Sequence, residues 1–368
     1  MSLNQRLHKR IKDGSFRTLN LRSPKLIDFS SNDYLGLARS TTLKNRIANT
    51  YADLDTLNGA TGSRLLSGNT SRHIKLEEQL AHFFGFEAST LFSSGYMANM
   101  ALFSSVPQKG DTVIYDELSH ACIKDGLRLS FAKRLPFKHN DIGDLKTKIK
   151  SAKGRIYIVC ESVYSMDGDI APLKELADLA NEMRANLIVD EAHSTGIWGE
   201  HGQGLVHELD LNHSVFAVIH TFGKGMGIHG ATISGSSELR QFITNFARPF
   251  IYTTAPSDHE LISIEEAFKF LKEQPNRQAN LFYKIALFNR MLGKSASPSA
   301  IKTVILKGNE QTKSISKELF SLGFDVRPIL SPTVKEGTER LRICLHTFNT
   351  DEQIKELAAH LKRLMNKA

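Results

Sequence analysis

Apolar positions in the middle of the chain fall into two alternating rhythms. In the runs 89–92, 112–115, 155–160, 186–190 and 215–219, nearly every position is apolar or β-branched, with no inside–outside alternation. Strands covered on both faces of a parallel sheet read this way. Between two of them, Leu173, Leu176, Ala180 and Met183 recur at helical spacing. A second stripe of Leu76, Leu80 and Phe83 starts near Arg72 and stops at Gly85. Near the end, Thr350 and Gln353 form a capping box ahead of Ile354, Leu357, Leu361 and Leu364. Strand–helix alternation over about two hundred residues predicts an α/β fold with a mainly parallel sheet flanked by helices. A softer stretch around 270–300, including Glu273-Gln274-Pro275-Asn276 and Gly293-Lys294-Ser295, predicts a division before a smaller C-terminal domain.

Composition narrows the class. The 368 residues are 41% hydrophobic, 23% charged and 8% aromatic, which excludes disordered, collagen-like and coiled-coil proteins. No apolar run approaches the roughly 18 residues of a membrane span. The first residues, Met1–Arg6, have no apolar core behind them, so no secretory signal is expected. Cys122, Cys160 and Cys344 are too scattered for a disulfide framework or a metal pair, and a cytoplasmic protein without a bound metal is expected. The net charge of +8 is spread thinly, without the basic and aromatic clusters of nucleic-acid binders. It fits a solvated basic surface, or attraction for an anionic substrate such as a nucleotide-bearing thioester.

Ligands in open α/β sheets bind beyond the carboxyl ends of the strands, so the residues following each run are the candidates. After Phe92, Ser93-Ser94-Gly95-Tyr96 leads into a helix start whose free N–H groups could cradle a phosphate, although such a run is more often a simple turn. After Val189 come Asp190, Glu191, Ala192 and His193; Asp190 reads equally as a functional acid or a structural cap. The third run is Thr221-Phe222-Gly223-Lys224-Gly225-Met226-Gly227-Ile228-His229-Gly230. Its GxGxxG is not a dinucleotide fingerprint, because Ala231–Gly235 reads as a strand where that motif needs a helix. A P-loop fails too, since Gly225 rather than Ser or Thr follows Lys224. Lys224 remains, either a surface lysine in a glycine loop or a lysine placed to form an imine. A phosphate cradle, a strand-end acid and a strand-end lysine are together the parts of a pyridoxal phosphate site, in which the acid keeps the pyridine nitrogen protonated.

Ordered motifs between about Arg17 and Leu345 carry a family resemblance. They are Ser31-Asn32-Asp33-Tyr34-Leu35-Gly36-Leu37, Gly59-Ala60-Thr61-Gly62-Ser63-Arg64, Ser94-Gly95-Tyr96, Leu118-Ser119-His120, His139-Asn140-Asp141, Ser165-Met166-Asp167-Gly168-Asp169, Asp190-Glu191-Ala192-His193, Thr221-Phe222-Gly223-Lys224, Pro332-Thr333-Val334 and Arg340-Leu341-Arg342. With them the chain resembles the α-oxoamine synthases, pyridoxal phosphate enzymes of the aspartate aminotransferase fold (fold type I). The residues around the lysine are most similar to members that condense L-alanine with a pimeloyl thioester in biotin synthesis. Sibling condensations using serine or glycine, an aminotransferase or decarboxylase on the same fold, and a catalytically silent scaffold are the alternatives.

The resemblance implies an imine between pyridoxal phosphate and Lys224, Asp190 on the pyridine nitrogen, and His120 stacked on the ring. It implies His193 and Ser165 around the phenolic oxygen, and Gly95, Tyr96 and Thr221 on the phosphate. Arg342 would take the amino-acid carboxylate, while Asn32, Thr333 and Arg17 would contact substrate. Lys335 stands where many relatives carry proline. It further implies a homodimer, with Thr254 reaching the neighbouring subunit's site, and an acyl donor on coenzyme A or acyl carrier protein. The expected organisation is an N-terminal segment 1–40 packing with the small domain, a cofactor-binding domain 41–270 and a small domain 271–368.

Overall fold

The computed structural model describes residues 2–19, 21, 23–293 and 297–365; Lys294 and Ser295 of the softer stretch lie outside the described residues. Two compact units emerge. The larger comprises Leu35–Tyr164 and Ile170–Gln278, and the smaller comprises Met1–Tyr34, Ser165–Asp169 and Ala279–Ala368. The sequence reading set the divisions at 40 and 270.

The larger unit is built on seven strands: β1 (Ala88–Phe92), β2 (Thr112–Asp116), β3 (Lys133–Phe137), β4 (Ile156–Glu161), β5 (Asn186–Asp190), β6 (Ala217–Thr221) and β7 (Ala231–Gly235). Their spatial order is β1-β7-β6-β5-β4-β2-β3. All neighbours are parallel except β7, which runs against both β1 and β6. The mainly parallel α/β architecture read from the apolar runs is the one observed. Val113, Val159, Ile188 and Ile219 are fully buried, as are Leu102, Phe103 and Ile123 on the helices packed against them. Strand β3 escaped the sequence reading because Lys133, Arg134 and Pro136 interrupt its apolar pattern. Such residues belong on a sheet edge, where β3 lies.

Several predicted stops and starts have clear local causes. Helix Ser71–Phe84 ends at Gly85, whose φ of +75° gives the left-handed cap that favours glycine. Ahead of helix Asp351–Met365, Gln353 N–H donates to Thr350 Oγ1 and Thr350 N–H donates to Gln353 Oε1. The motif arginine Arg64 donates to both Glu77 oxygens (2.9 and 3.0 Å), and Glu77 also accepts the Leu91 N–H. This buried pair ties the Gly59–Arg64 loop and helix Ser71–Phe84 to β1.

The smaller unit holds a three-stranded antiparallel sheet of β8 (Ile301–Ile305), β9 (Arg327–Ile329) and β10 (Arg340–Cys344), in the order β9-β10-β8. Separately, Ile27–Asp28 pairs in parallel with Phe324–Asp325. Ser165–Asp169 belongs to this unit because its polar groups are used there. Arg342 Nε donates to the Ser165 carbonyl (2.6 Å), Arg340 pairs with Asp167, and Ser299 Oγ donates to the Gly168 carbonyl. Among the described residues, no helix is long and apolar enough to cross a membrane, and no cluster of potential ligands could hold a metal ion.

Candidate active site

The candidate residues of the larger unit gather at the carboxyl ends of its strands. β5 ends in Asp190, which is 4% exposed. Its Oδ1 accepts the Ala192 N–H (2.8 Å) and its Oδ2 accepts Asn99 Nδ2 (2.7 Å). Among the described residues neither oxygen has a cationic partner within ion-pair distance. A buried carboxylate held only by neutral donors has an unmet demand for positive charge.

Beyond β6, Lys224 Nζ donates to His193 Nε2 at 2.9 Å, and His193 is itself buried. The glycines after Lys224 serve the backbone. Gly227 has φ +66°, and a Cβ there would lie 2.3 Å from the Ala38 nitrogen. Ala231–Gly235 is the strand β7, which is why a dinucleotide motif cannot operate here.

Beyond β1, helix Gly95–Ser105 begins at Gly95 with Ser94 as its N-cap, and Ser94 Oγ accepts the Met97 N–H. A Cβ on Gly95 would come within 2.1 Å of Thr221 Oγ1, so only glycine brings the Thr221 hydroxyl against the helix N-terminus. Backbone N–H groups, a helix dipole and a hydroxyl form an anion cradle. Tyr96 is partly exposed and its hydroxyl donates to Asp125.

Beyond β2, the Asp116 carboxylate accepts the Leu118 and Asn140 N–H groups and His139 Nδ1, which shapes the turn carrying His120. Burial alone would raise the Asp116 pKa, but His139 and these N–H groups outweigh it and lower it. His120 N-caps helix Ala121–Leu129. Its backbone N–H donates to Glu161 Oε1 (2.5 Å), and Glu161 stands opposite Asp190 in the β4–β5 register. Burial, reinforced by the Asp190 charge, pushes the Glu161 carboxyl up to about 8 from its ordinary 4.5.

That shift gives a testable pH dependence. Between about pH 4.5 and 8 the folded chain keeps a proton on Glu161 that the unfolded chain has lost. Stability therefore falls as pH rises through this window. Glu161→Gln is expected to shrink the loss of urea resistance between about pH 5.5 and about pH 7.5, while its amide oxygen still accepts the His120 N–H. An unchanged loss would show that Glu161 ionises normally in the folded protein.

The remaining candidates lie in other surroundings. In the smaller unit, Arg342 is buried; its Nη2 donates to Asn32 Oδ1 (3.0 Å), which also accepts the Tyr34 hydroxyl, and its Nη1 donates to Cys344 Sγ. Arg17 Nη2 donates to Thr333 Oγ1 at 3.3 Å. Ser165 belongs to this unit as well. In the larger unit, Thr254 is exposed and bridges to Ser63.

Three residues escaped the sequence reading. Asn99, one helical turn after Gly95, carried the signal of a polar residue inside the apolar run Met97–Phe103. Glu161 ends its apolar run as Asp190 ends the neighbouring one. Cys122, whose Sγ lies 2.9 Å from His120 Nδ1, gave no signal.

A family model described as aminotransferase class I and II matches residues 24–361. The chain belongs to the class I and II aminotransferase family. Within this family it is 36% identical to an 8-amino-7-oxononanoate synthase of Emericella nidulans, over 96% of this chain and 92% of that protein. An 8-amino-7-oxononanoate synthase structure from Francisella tularensis matches with a TM-score of 0.80 and 28% identity, covering 94% and 99% of the two chains. A serine palmitoyltransferase variant from S. paucimobilis, solved with a bound PLP–myriocin aldimine, matches with a TM-score of 0.88 and 26% identity, covering 99% and 97%. The α-oxoamine synthase resemblance and the fold type I expectation are thereby borne out. The polar residues lie beyond the carboxyl ends of the strands, where open α/β sheets bind ligands.

Proposed function

We propose that the chain is a pyridoxal phosphate-dependent acyltransferase that condenses L-alanine with a pimeloyl thioester to give 8-amino-7-oxononanoate for biotin synthesis. A bond forms between the alanine α-carbon and the acyl carbonyl carbon, the thiol departs, and the alanine carboxylate leaves as carbon dioxide. The observation that carries this reading is Asp190, buried and supplied only with neutral donors, on the strand beside the one that leads to the Lys224–His193 pair. A protonated pyridine nitrogen would meet its demand for positive charge. The Gly95–Thr221 cradle suits the phosphate.

When bound, pyridoxal phosphate supplies an electron sink next to the α-carbon of the amino acid. The protein's own groups do the rest. Lys224 would hold the cofactor and carry the α-proton at Nζ, with His193 holding that amine in place. Asp190 would keep the pyridine nitrogen protonated, with its carboxylate fixed by Asn99. Gly95 and Tyr96 N–H groups and the Thr221 hydroxyl would hold the phosphate. His120 would stack on the ring, while His193 and Ser165 would serve the phenolic oxygen. Arg342 takes the amino-acid carboxylate with the bidentate fork that lysine lacks. Asn32, Arg17 and Thr333 contact substrate. The protein works in the cytoplasm as a homodimer to which Thr254 contributes across the interface. The acyl group arrives on coenzyme A or acyl carrier protein.

The test is the visible absorption of the cofactor-loaded protein during titration with L-alanine, glycine and L-serine. A selective response to L-alanine is expected. The serine palmitoyltransferase match makes serine the competing substrate, and a selective response to serine or glycine would move the chain to a sibling condensation. No cofactor absorption after adding pyridoxal phosphate would overturn the reading.

A further inference from the structure

Near the candidate site, the His120 imidazole is gripped on one edge and open elsewhere. Its residue is exposed, yet Nδ1 accepts the Cys122 backbone N–H at 3.2 Å and faces Cys122 Sγ at 2.9 Å. The His120 backbone N–H is taken by Glu161. An N–H aimed at Nδ1 requires a bare lone pair there, so a neutral ring must carry its proton on Nε2. The thiol adds a second donor of the same sense. Cys122 is 4% exposed, and burial, then the charge of Asp190, hold its thiol protonated.

We infer that Cys122 and Glu161 are positioning residues that lock His120 in one rotamer and in the Nε2–H tautomer. Charging this imidazole would put a proton on Nδ1, set it against the Cys122 N–H and reverse the sense of the thiol contact. Burial of this edge and the Lys224 charge act in the same direction, lowering the imidazole pKa, against Asp190 and Asp125, while Lys124 adds to Lys224. The lock presents a neutral, fixed ring face and directs one N–H donor away from the gripped edge. Its catalytic consequence rests on the reading of His120 as the residue facing the cofactor. The tautomer itself does not.

The experiment uses full-length protein labelled with ¹⁵N-histidine, loaded with pyridoxal phosphate and also without it. The His120 signal is assigned by its loss in His120→Asn. A protonated Nε2 and a bare Nδ1 are expected through roughly pH 6 to 8. Cys122→Ala should move the His120 titration upward by about one pH unit and lower kcat about three- to tenfold, the effect of one lost hydrogen bond, with KM for L-alanine little changed. Cys122→Ser, which restores a donor, should return both toward wild type. A proton on Nδ1 in the wild-type protein would overturn the inference, as would a Cys122→Ala variant that titrates like wild type. A kcat loss that serine does not rescue would assign Cys122 to packing alone and also overturn it. A chain that fails to bind pyridoxal phosphate but shows the Nε2–H ring would refute the proposed function and leave the lock standing.

Discussion

Lys224→Ala removes turnover, by about 10⁴-fold or more, in an assay of thiol release from the acyl thioester with L-alanine present. The size follows from the two tasks on one amine. Lys224 Nζ donates to His193 Nε2 at 2.9 Å. In the proposed reaction that nitrogen both anchors the cofactor and carries the α-proton, so no neighbour replaces it. The alanine variant should still take up pyridoxal phosphate, because Asp190 and the Gly95–Thr221 cradle are untouched. Substantial turnover by this variant would refute the assignment of Lys224.

Asp190→Asn comes second. The amide keeps the size of the carboxylate but removes the charge that a pyridine nitrogen would pair with. Removing one partner of a buried pair costs about 3–5 kcal/mol. The variant is therefore expected to release pyridoxal phosphate more readily and to lose about 10²- to 10³-fold in kcat. Equilibrium dialysis of the cofactor and single-turnover proton exchange at the α-carbon of L-alanine separate the two effects. If both match wild type, Asp190 is a structural cap and nothing more.

The parts of this protein that its sequence disclosed share a physical cause. Strands β4, β5 and β6 are covered on both faces, so their apolar runs are continuous, and a polar residue such as Asp190 at the end of a run stands out. The strand-to-strand step after Lys224 was readable because Ala231–Gly235 carries strand chemistry where a dinucleotide motif needs a helix. Other features stayed hidden for equally physical reasons. β3 is an edge strand whose Lys133 and Arg134 face solvent. β10 buries Arg340 and Arg342, which look like surface residues until Asp167, the Ser165 carbonyl and Asn32 appear beside them. Asn99 gains its meaning from Asp190, 91 positions away. Local periodicity carries no information about such pairings.

The pairing of Ile27–Asp28 with Phe324–Asp325 fixes an order of events during biosynthesis. The strand Ile27–Asp28 leaves the ribosome long before its partner Phe324–Asp325 is made. The larger unit, whose last residue is Gln278, can condense while that early strand has nothing to pair with, since domains tend to fold as units during synthesis. A ribosome stalled before residue 324 would thus hold a nascent chain with a bare N-terminal strand. A cut after Gln278 would keep the larger unit whole but divide the smaller one, which draws on Met1–Tyr34, Ser165–Asp169 and Ala279–Ala368.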